Sequence, residues 1–245
     1  MKIKGFVLVE LAIVLVIIGL IAASAIALLK PTQQFQKKLV TQASLVRVSN
    51  ALINFAINNH RLPCPDTDTP SNGYEDCGAG AVTGAVPFNT LMMEVGASVA
   101  NSDSAEMNMV YGVYASLTIL QENTGDVVGM DYFESKDDLV AALRAAIVQT
   151  ATPNASNPYL TGDGTQSGNE DCGANNQGNV AFVVVSAGGE DRSGNGNAFD
   201  GVNEGLLQNG AGSTCFSAVS RSEDTNYDDG VIAMDFNSFL GHVIN

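Results

Sequence analysis

The segment Gly189-Glu190-Asp191-Arg192-Ser193-Gly194-Asn195-Gly196-Asn197-Ala198-Phe199-Asp200 holds the side chains best suited to chemistry. Asp191, Ser193 and Asn195, followed by Gly196, match the first half of an EF-hand loop, and Asp200 adds a further carboxylate. Carboxylate, hydroxyl and amide oxygens on a glycine-rich loop suit a hard cation, so Ca2+ is the cofactor this pattern suggests. Val202 stands where the bidentate acid of an EF-hand belongs, eleven residues after Asp191. The competing outcome is a solvated turn. Cys64, Cys77, Cys172 and Cys215 are the second set, and four cysteines allow three pairings. The expected pairing joins neighbours in sequence, Cys64–Cys77 and Cys172–Cys215.

Enzyme chemistry finds no purchase in the rest of the chain. His60 and His242 are the only histidines, and neither has metal-ligand spacing. His60 reads as a cap on a helix end. Gly164-Thr165-Gln166-Ser167-Gly168 has the wrong frame for a nucleophile elbow. Gly78 to Gly84 is only loosely like a dinucleotide turn and follows no predicted strand. The adjacent acids Asp228 and Asp229 read as a surface turn. The chain is therefore expected not to be an enzyme.

The elements that position these residues begin with an apolar run. Phe6 to Leu29 spans 24 residues with one charge, Glu10. As a helix it would be about 36 Å long, against a bilayer core of about 30 Å. A carboxylate inside such a run is costly and calls for a partner. Lys2 and Lys4 precede the run and favour a cytoplasmic N-terminus.

This stretch resembles the N-terminus of type IV pilins and of the pseudopilins of type II secretion. The matching residues are Gly5 before the cut, Phe6 after it, Glu10 four residues on, and Gly19 within the run. The resemblance implies removal of leader 1–5 by a prepilin peptidase and methylation of the new Phe6 amine. It also implies a precursor anchored once in the inner membrane, head in the periplasm, that later packs with other pilin or pseudopilin subunits in a filament. In that setting Glu10 pairs with the amine of an adjacent subunit. Major pseudopilins carry calcium in a late loop, which bears on Asp191 to Asp200. Three other readings stay open for the same run: a secretory signal peptide cut after Ala23-Ser24-Ala25, a plain single-pass anchor, and a buried helix of a soluble domain.

Beyond the run, Leu45, Val48, Leu52 and Phe55 recur at helical spacing within Gln33 to Asn59. Pro31 is expected to loosen the helix. Leu62-Pro63-Cys64-Pro65 and Val86 to Leu91 are similar to segments of a subset of pilin-like proteins. Met109–Thr118, Val180–Ser186 and Val231–Phe236 read as strands, the second apolar throughout and central. Ser135 and Asp138 begin a capped helix with Leu139, Leu143 and Ile147 on one face. The frame G-x-E-D-C-G-A occurs at Gly73 and again at Gly168, and reads as two similar cysteine-bearing turns.

The expected fold is α+β. A long N-terminal helix, its half 6–29 transmembrane and its half 30–59 amphipathic, packs on a mainly antiparallel sheet with long loops. Residues 60–245 form the head, with an insertion at about 123–175. The chain carries 11 basic and 26 acidic residues, a net charge of −15. That balance opposes phosphate backbones, so nucleic-acid binding by the monomer is not expected. The expected function is a structural subunit of a type IV pilus-like or type II secretion pseudopilus filament. The alternatives are a pilin-anchored adhesin and a conventionally secreted protein.

Overall fold

A computed structural model describes residues 8–93, 109–118, 135–149, 153–161, 172, 176–188, 190–207 and 211–244. Within the first helix it describes the side chains of 11–21 and 38–59. The chain divides into two units, Met1–Val40 and Thr41–Asn245.

Helix α1 runs Leu8–Asn59 over 52 residues and is helical on both sides of Pro31. From Leu11 to Ile21 every side chain is exposed. At its other end, Leu45, Val48, Leu52, Ile53 and Ala56 are buried. The helix stops where polar side chains compete for its last carbonyls. Asn58 Nδ2 donates to Asn54 O and Asn59 Nδ2 to Phe55 O, both at 2.9 Å. His60 then takes φ +57°, the left-handed geometry that closes a helix.

Two sheets follow. The first has the order β1 (Thr83–Ala85), β2 (Met109–Val113), β5 (Phe182–Ser186), β7 (Gly230–Met234), all antiparallel. The second has the order β4 (Asn176–Asn179), β3 (Tyr159–Thr161), β6 (Cys215–Phe216). There β3 runs antiparallel to β4 and parallel to β6.

Strands β1, β2 and β5 of the first sheet are buried throughout and β7 is half-buried, and strand alternation sorts the side chains between two cores. Met109, Tyr111, Val113, Phe182 and Val184 join the helical core. That core holds the buried end of α1, helix α2 (Lys136–Gln149) through Leu139 and Leu143, and helix α3 (Phe236–Ile244) through Phe236 and Phe239. Val110, Val183 and Val185 face the opposite way, onto Leu160, Phe199, Leu206 and Phe216. Gly112 lies where a side chain would meet Phe216 Cζ at 2.7 Å, so the close approach of that ring depends on glycine.

Local chemistry explains the shorter elements. Ser135 Oγ donates to Asp138 Oδ2 at 2.8 Å and so closes the start of α2. Asp235 Oδ1 accepts the amides of Asn237 and Ser238, both at 2.9 Å, and caps α3. Partial burial would raise the Asp235 carboxyl, but the Ser238 hydroxyl, which donates to Oδ2 at 2.6 Å, together with these amides holds it below its ordinary range. The apolar segment Val231–Phe236 thus splits between a strand and a helix at Asp235. The segment Met109–Thr118 is strand only to Val113. Asn157 Oδ1 accepts the Ala115 amide at 2.7 Å, and Ala115–Leu117 turns into a short 3-10 helix.

The expected fold needs correction in two respects. First, among the described residues no helix is long and apolar enough to cross a membrane, so the transmembrane half does not hold. Described apolar side chains cover Leu11–Ile21, about 16 Å of helix, roughly half a bilayer core. Lys30, Lys37 and Lys38 then break the apolar character of α1. Second, the strands form two sheets instead of one, and the second contains a parallel pair. The segment 123–175, expected as an insertion, supplies α2 to the helical core and β3 to the second sheet.

Candidate functional site

The loop after β5 is shaped by its own hydrogen bonds. Asp191 Oδ1 accepts the Gly194 amide at 2.7 Å and the Ser193 hydroxyl at 3.1 Å, while Oδ2 accepts the Gly196 amide at 2.7 Å. The bond from Gly196, with those from Gly194 and Ser193, holds the Asp191 carboxyl below its ordinary range. Asn195 Oδ1 accepts the Asn197 amide at 2.8 Å. Gly194 and Gly196 take φ +70° and +88°, which glycine adopts without strain. Asp191, Ser193 and Asn195 are exposed. The first half of the expected calcium loop is therefore a turn closed on its own amides.

Asp200, the fourth expected ligand, belongs to a different cluster. It is fully buried, and one oxygen each from Asp200, Asp228 and Asp229 lies within 4.8 Å of the other two. Asp200 Oδ1 accepts the amides of Arg192 at 3.1 Å and Ser193 at 3.2 Å, and Oδ2 accepts the Asp228 amide at 3.0 Å. Asp229 Oδ2 accepts the Asp200 amide at 2.9 Å and Asn203 Nδ2 at 3.0 Å. Its Oδ1 accepts the Gly188 amide at 3.1 Å. These bonds staple the 188–205 segment to the residues just before β7.

Asp228 differs from its neighbours. Its side chain is 9% exposed, and Oδ2 accepts the Glu190 amide at 3.2 Å with Arg192 Nε at 3.5 Å. Its Oδ1 is buried with no hydrogen-bond partner. A side chain at Gly188 would collide with this carboxylate, so glycine there gives it room. Burial, then the bond to Asp200, raises the Asp228 pKa to about 6. Burial raises Asp229 to about 7, although the amides of Asp200 and Gly188 and the Asn203 side chain favour its charged form. Arg192 carries the opposing charge and is shared with Glu223 at 2.6 Å and the Asp224 carbonyl.

The expectation that Asp228 and Asp229 lie in a surface turn is thus wrong: they are inward-facing groups ahead of the half-buried strand β7. A pair of acids immediately before the apolar Val231–Met234 was the available clue. Two further acidic groups are satisfied differently. Asp66 is buried, and its oxygens accept the Asp68 amide, the Ser71 hydroxyl and the Gly73 amide at 3.0, 2.5 and 2.6 Å. Glu75, beside Cys64 and Cys77, is paired with Arg61 at 2.7 Å. Both are structural fastenings.

The four cysteines form two disulfides, Cys64–Cys77 and Cys172–Cys215. The second ties residue 172 to β6, next to β3. Gly5 and Phe6 lie outside the described residues, and so does the Glu10 side chain. Comparison with protein-family models, curated proteins and solved structures finds no match for this chain.

Proposed function

We propose that the chain is a structural subunit of a pilus-like or pseudopilus filament, cut between Gly5 and Phe6 by a prepilin peptidase and assembled through α1. The observation that carries this reading is the surface of α1 from Leu11 to Ile21. Eleven consecutive residues, nine of them Leu, Ile or Val, are exposed on every side of the helix. An amphipathic helix hides its apolar residues along one stripe, whereas one apolar all round needs apolar neighbours on all sides. Packed α1 helices of sister subunits would supply them. Glu10, entering that apolar bundle, would need a compensating charge, and the Phe6 amine of an adjacent subunit is within the same turn of sequence.

The mechanism is mechanical. Helices stack to form the fibre, and the acidic head, held by two disulfides, forms its surface. Such disulfides suit a head that matures outside the cytoplasm.

N-terminal sequencing and filament isolation test the reading together. The mature chain should begin at methylated Phe6. Glu10→Ala and Glu10→Gln should be cut normally yet be lost from filaments. A mature start near Ile26 or at Met1, or normal incorporation of both variants, would overturn it.

A further inference from the structure

We infer that Asn195 is a latent deamidation site that the Asp191 carboxylate keeps closed. Asparagine followed by glycine is the dipeptide most open to this change, because no side chain shields the glycine nitrogen. The chain has three such steps, Asn72-Gly73, Asn195-Gly196 and Asn209-Gly210, and the first two lie among the described residues. The reaction is an internal substitution. The Gly196 nitrogen gives up its proton to solvent base, and its electron pair attacks Asn195 Cγ. The Cγ–Nδ2 bond breaks, and Nδ2 takes up protons from water and leaves as ammonia. Water then opens the cyclic imide at either carbonyl, leaving aspartate or isoaspartate at this position.

The two described steps share one arrangement. Asn72 Oδ1 accepts the Tyr74 amide at 2.7 Å, and Asn195 Oδ1 accepts the Asn197 amide at 2.8 Å. In each, the glycine amide that would attack donates instead to a carboxylate. Gly73 N reaches Asp66 Oδ2 at 2.6 Å, and Gly196 N reaches Asp191 Oδ2 at 2.7 Å. A charge-assisted bond of this kind holds the proton on the nitrogen. The neighbouring negative charge also disfavours a second one on the amide. The bond from Asn197 meanwhile fixes the side chain that would be attacked.

The two locks differ in strength. Asp66 and Gly73 are buried, and Asn89 braces the step, donating from Nδ2 to Asn72 O and from its amide to Gly73 O, both at 2.7 Å. Asp191, Asn195 and Gly196 are exposed, and a side chain added at Gly194 or Gly196 would meet nothing within 4 Å. At Asn195 the barrier is therefore the Asp191 carboxylate, which Ser193 and Gly194 steady through Oδ1. Deamidation there would add a negative charge to an acidic head, and isoaspartate would lengthen the main chain of the turn by a methylene. The site stands on the head's own residues and is independent of how α1 assembles.

The test follows the full-length chain at mildly alkaline pH by site-resolved mass spectrometry of its peptides, beside the same chain unfolded in urea. In the folded chain Asn195 should deamidate more slowly than in urea, and Asn72 more slowly still. Asp191→Ala should speed the change at Asn195 about tenfold, the rate equivalent of one hydrogen bond to a charged group. Asn72 should keep its rate in that variant, and the melting temperature should hardly move. Asp191→Asn, which keeps an acceptor and loses the charge, should fall between. An Asn195 rate equal in the folded and the urea-unfolded chain, or unchanged by Asp191→Ala, would overturn the inference. So would equal acceleration of Asn72, which would mark a general loosening of the head.

Discussion

Arg61 and Glu75 meet as a two-pronged pair, Nη1 to Oε2 and Nη2 to Oε1, both at 2.7 Å. Glu75 Oε2 also accepts the Cys64 amide at 3.0 Å, and the Arg61 guanidinium lies 5.3 Å from the Phe55 ring centroid. The pair therefore links the end of α1 to the Cys64–Cys77 loop. Both side chains are less than one-fifth exposed, so solvent screens the pair weakly. Glu75→Ala should destabilise the head by about 2–3 kcal/mol in chemical denaturation. Glu75→Gln, which retains an acceptor for Cys64, should lose less. Equal midpoints for both variants and the unsubstituted chain would show that the link is dispensable.

Gly112 is the contact point between the first sheet and Phe216. An added methyl group would lie 2.7 Å from Phe216 Cζ and 3.0 Å from Pro158 Cβ. Gly112→Ala is expected to cost about 1–3 kcal/mol by overpacking. Phe216→Leu in the same chain should recover part of that loss, because it removes the ring. A double variant no better than the single would place the strain elsewhere.

The two raised carboxyls make stability depend on pH. Asp228 at about 6 and Asp229 at about 7 both lie above the unfolded value of 3.8. Folding therefore favours their protonated forms. Their contribution is full below about pH 4 and is lost as pH rises through 6 and 7. The head should melt several degrees lower at pH 8 than at pH 5. Asp228→Asn should flatten the profile, since it removes one titrating group. A profile that rises over this interval would contradict the raised values.

Parts of this architecture were legible in the sequence because local chemistry dictates them. Val180–Ser186 is apolar at every position, as a strand covered on both faces must be, and β5 lies between β2 and β7. Ser135 and Asp138 marked the start of α2, and the asparagines before His60 marked the end of α1. The second sheet was not legible. Its strands are two to four residues long, and β4 reads Asn-Gln-Gly-Asn, too short and polar for any period. Helix α3 was hidden because Phe236 prolongs the apolar run of β7, and only Asp235 marks the change. Within the candidate site, Asp200 was visible as an oxygen ligand. The carboxylates it lies beside are 28 and 29 residues further on, brought in by the pairing of β5 with β7. No spacing rule on a single loop reveals such a cluster.

The burial of β5 on both faces has a kinetic consequence. Its amides are enclosed by β2 and β7 on either side and by the two apolar cores above and below. Water reaches Val183, Val184 and Val185 only when the whole sheet comes apart. Their deuterium uptake therefore proceeds at the rate set by global opening, whereas three-residue β1 and two-residue β6 exchange through local fraying. Strand β5 is thus the internal gauge of the head: its slowest protons report the free energy of global opening.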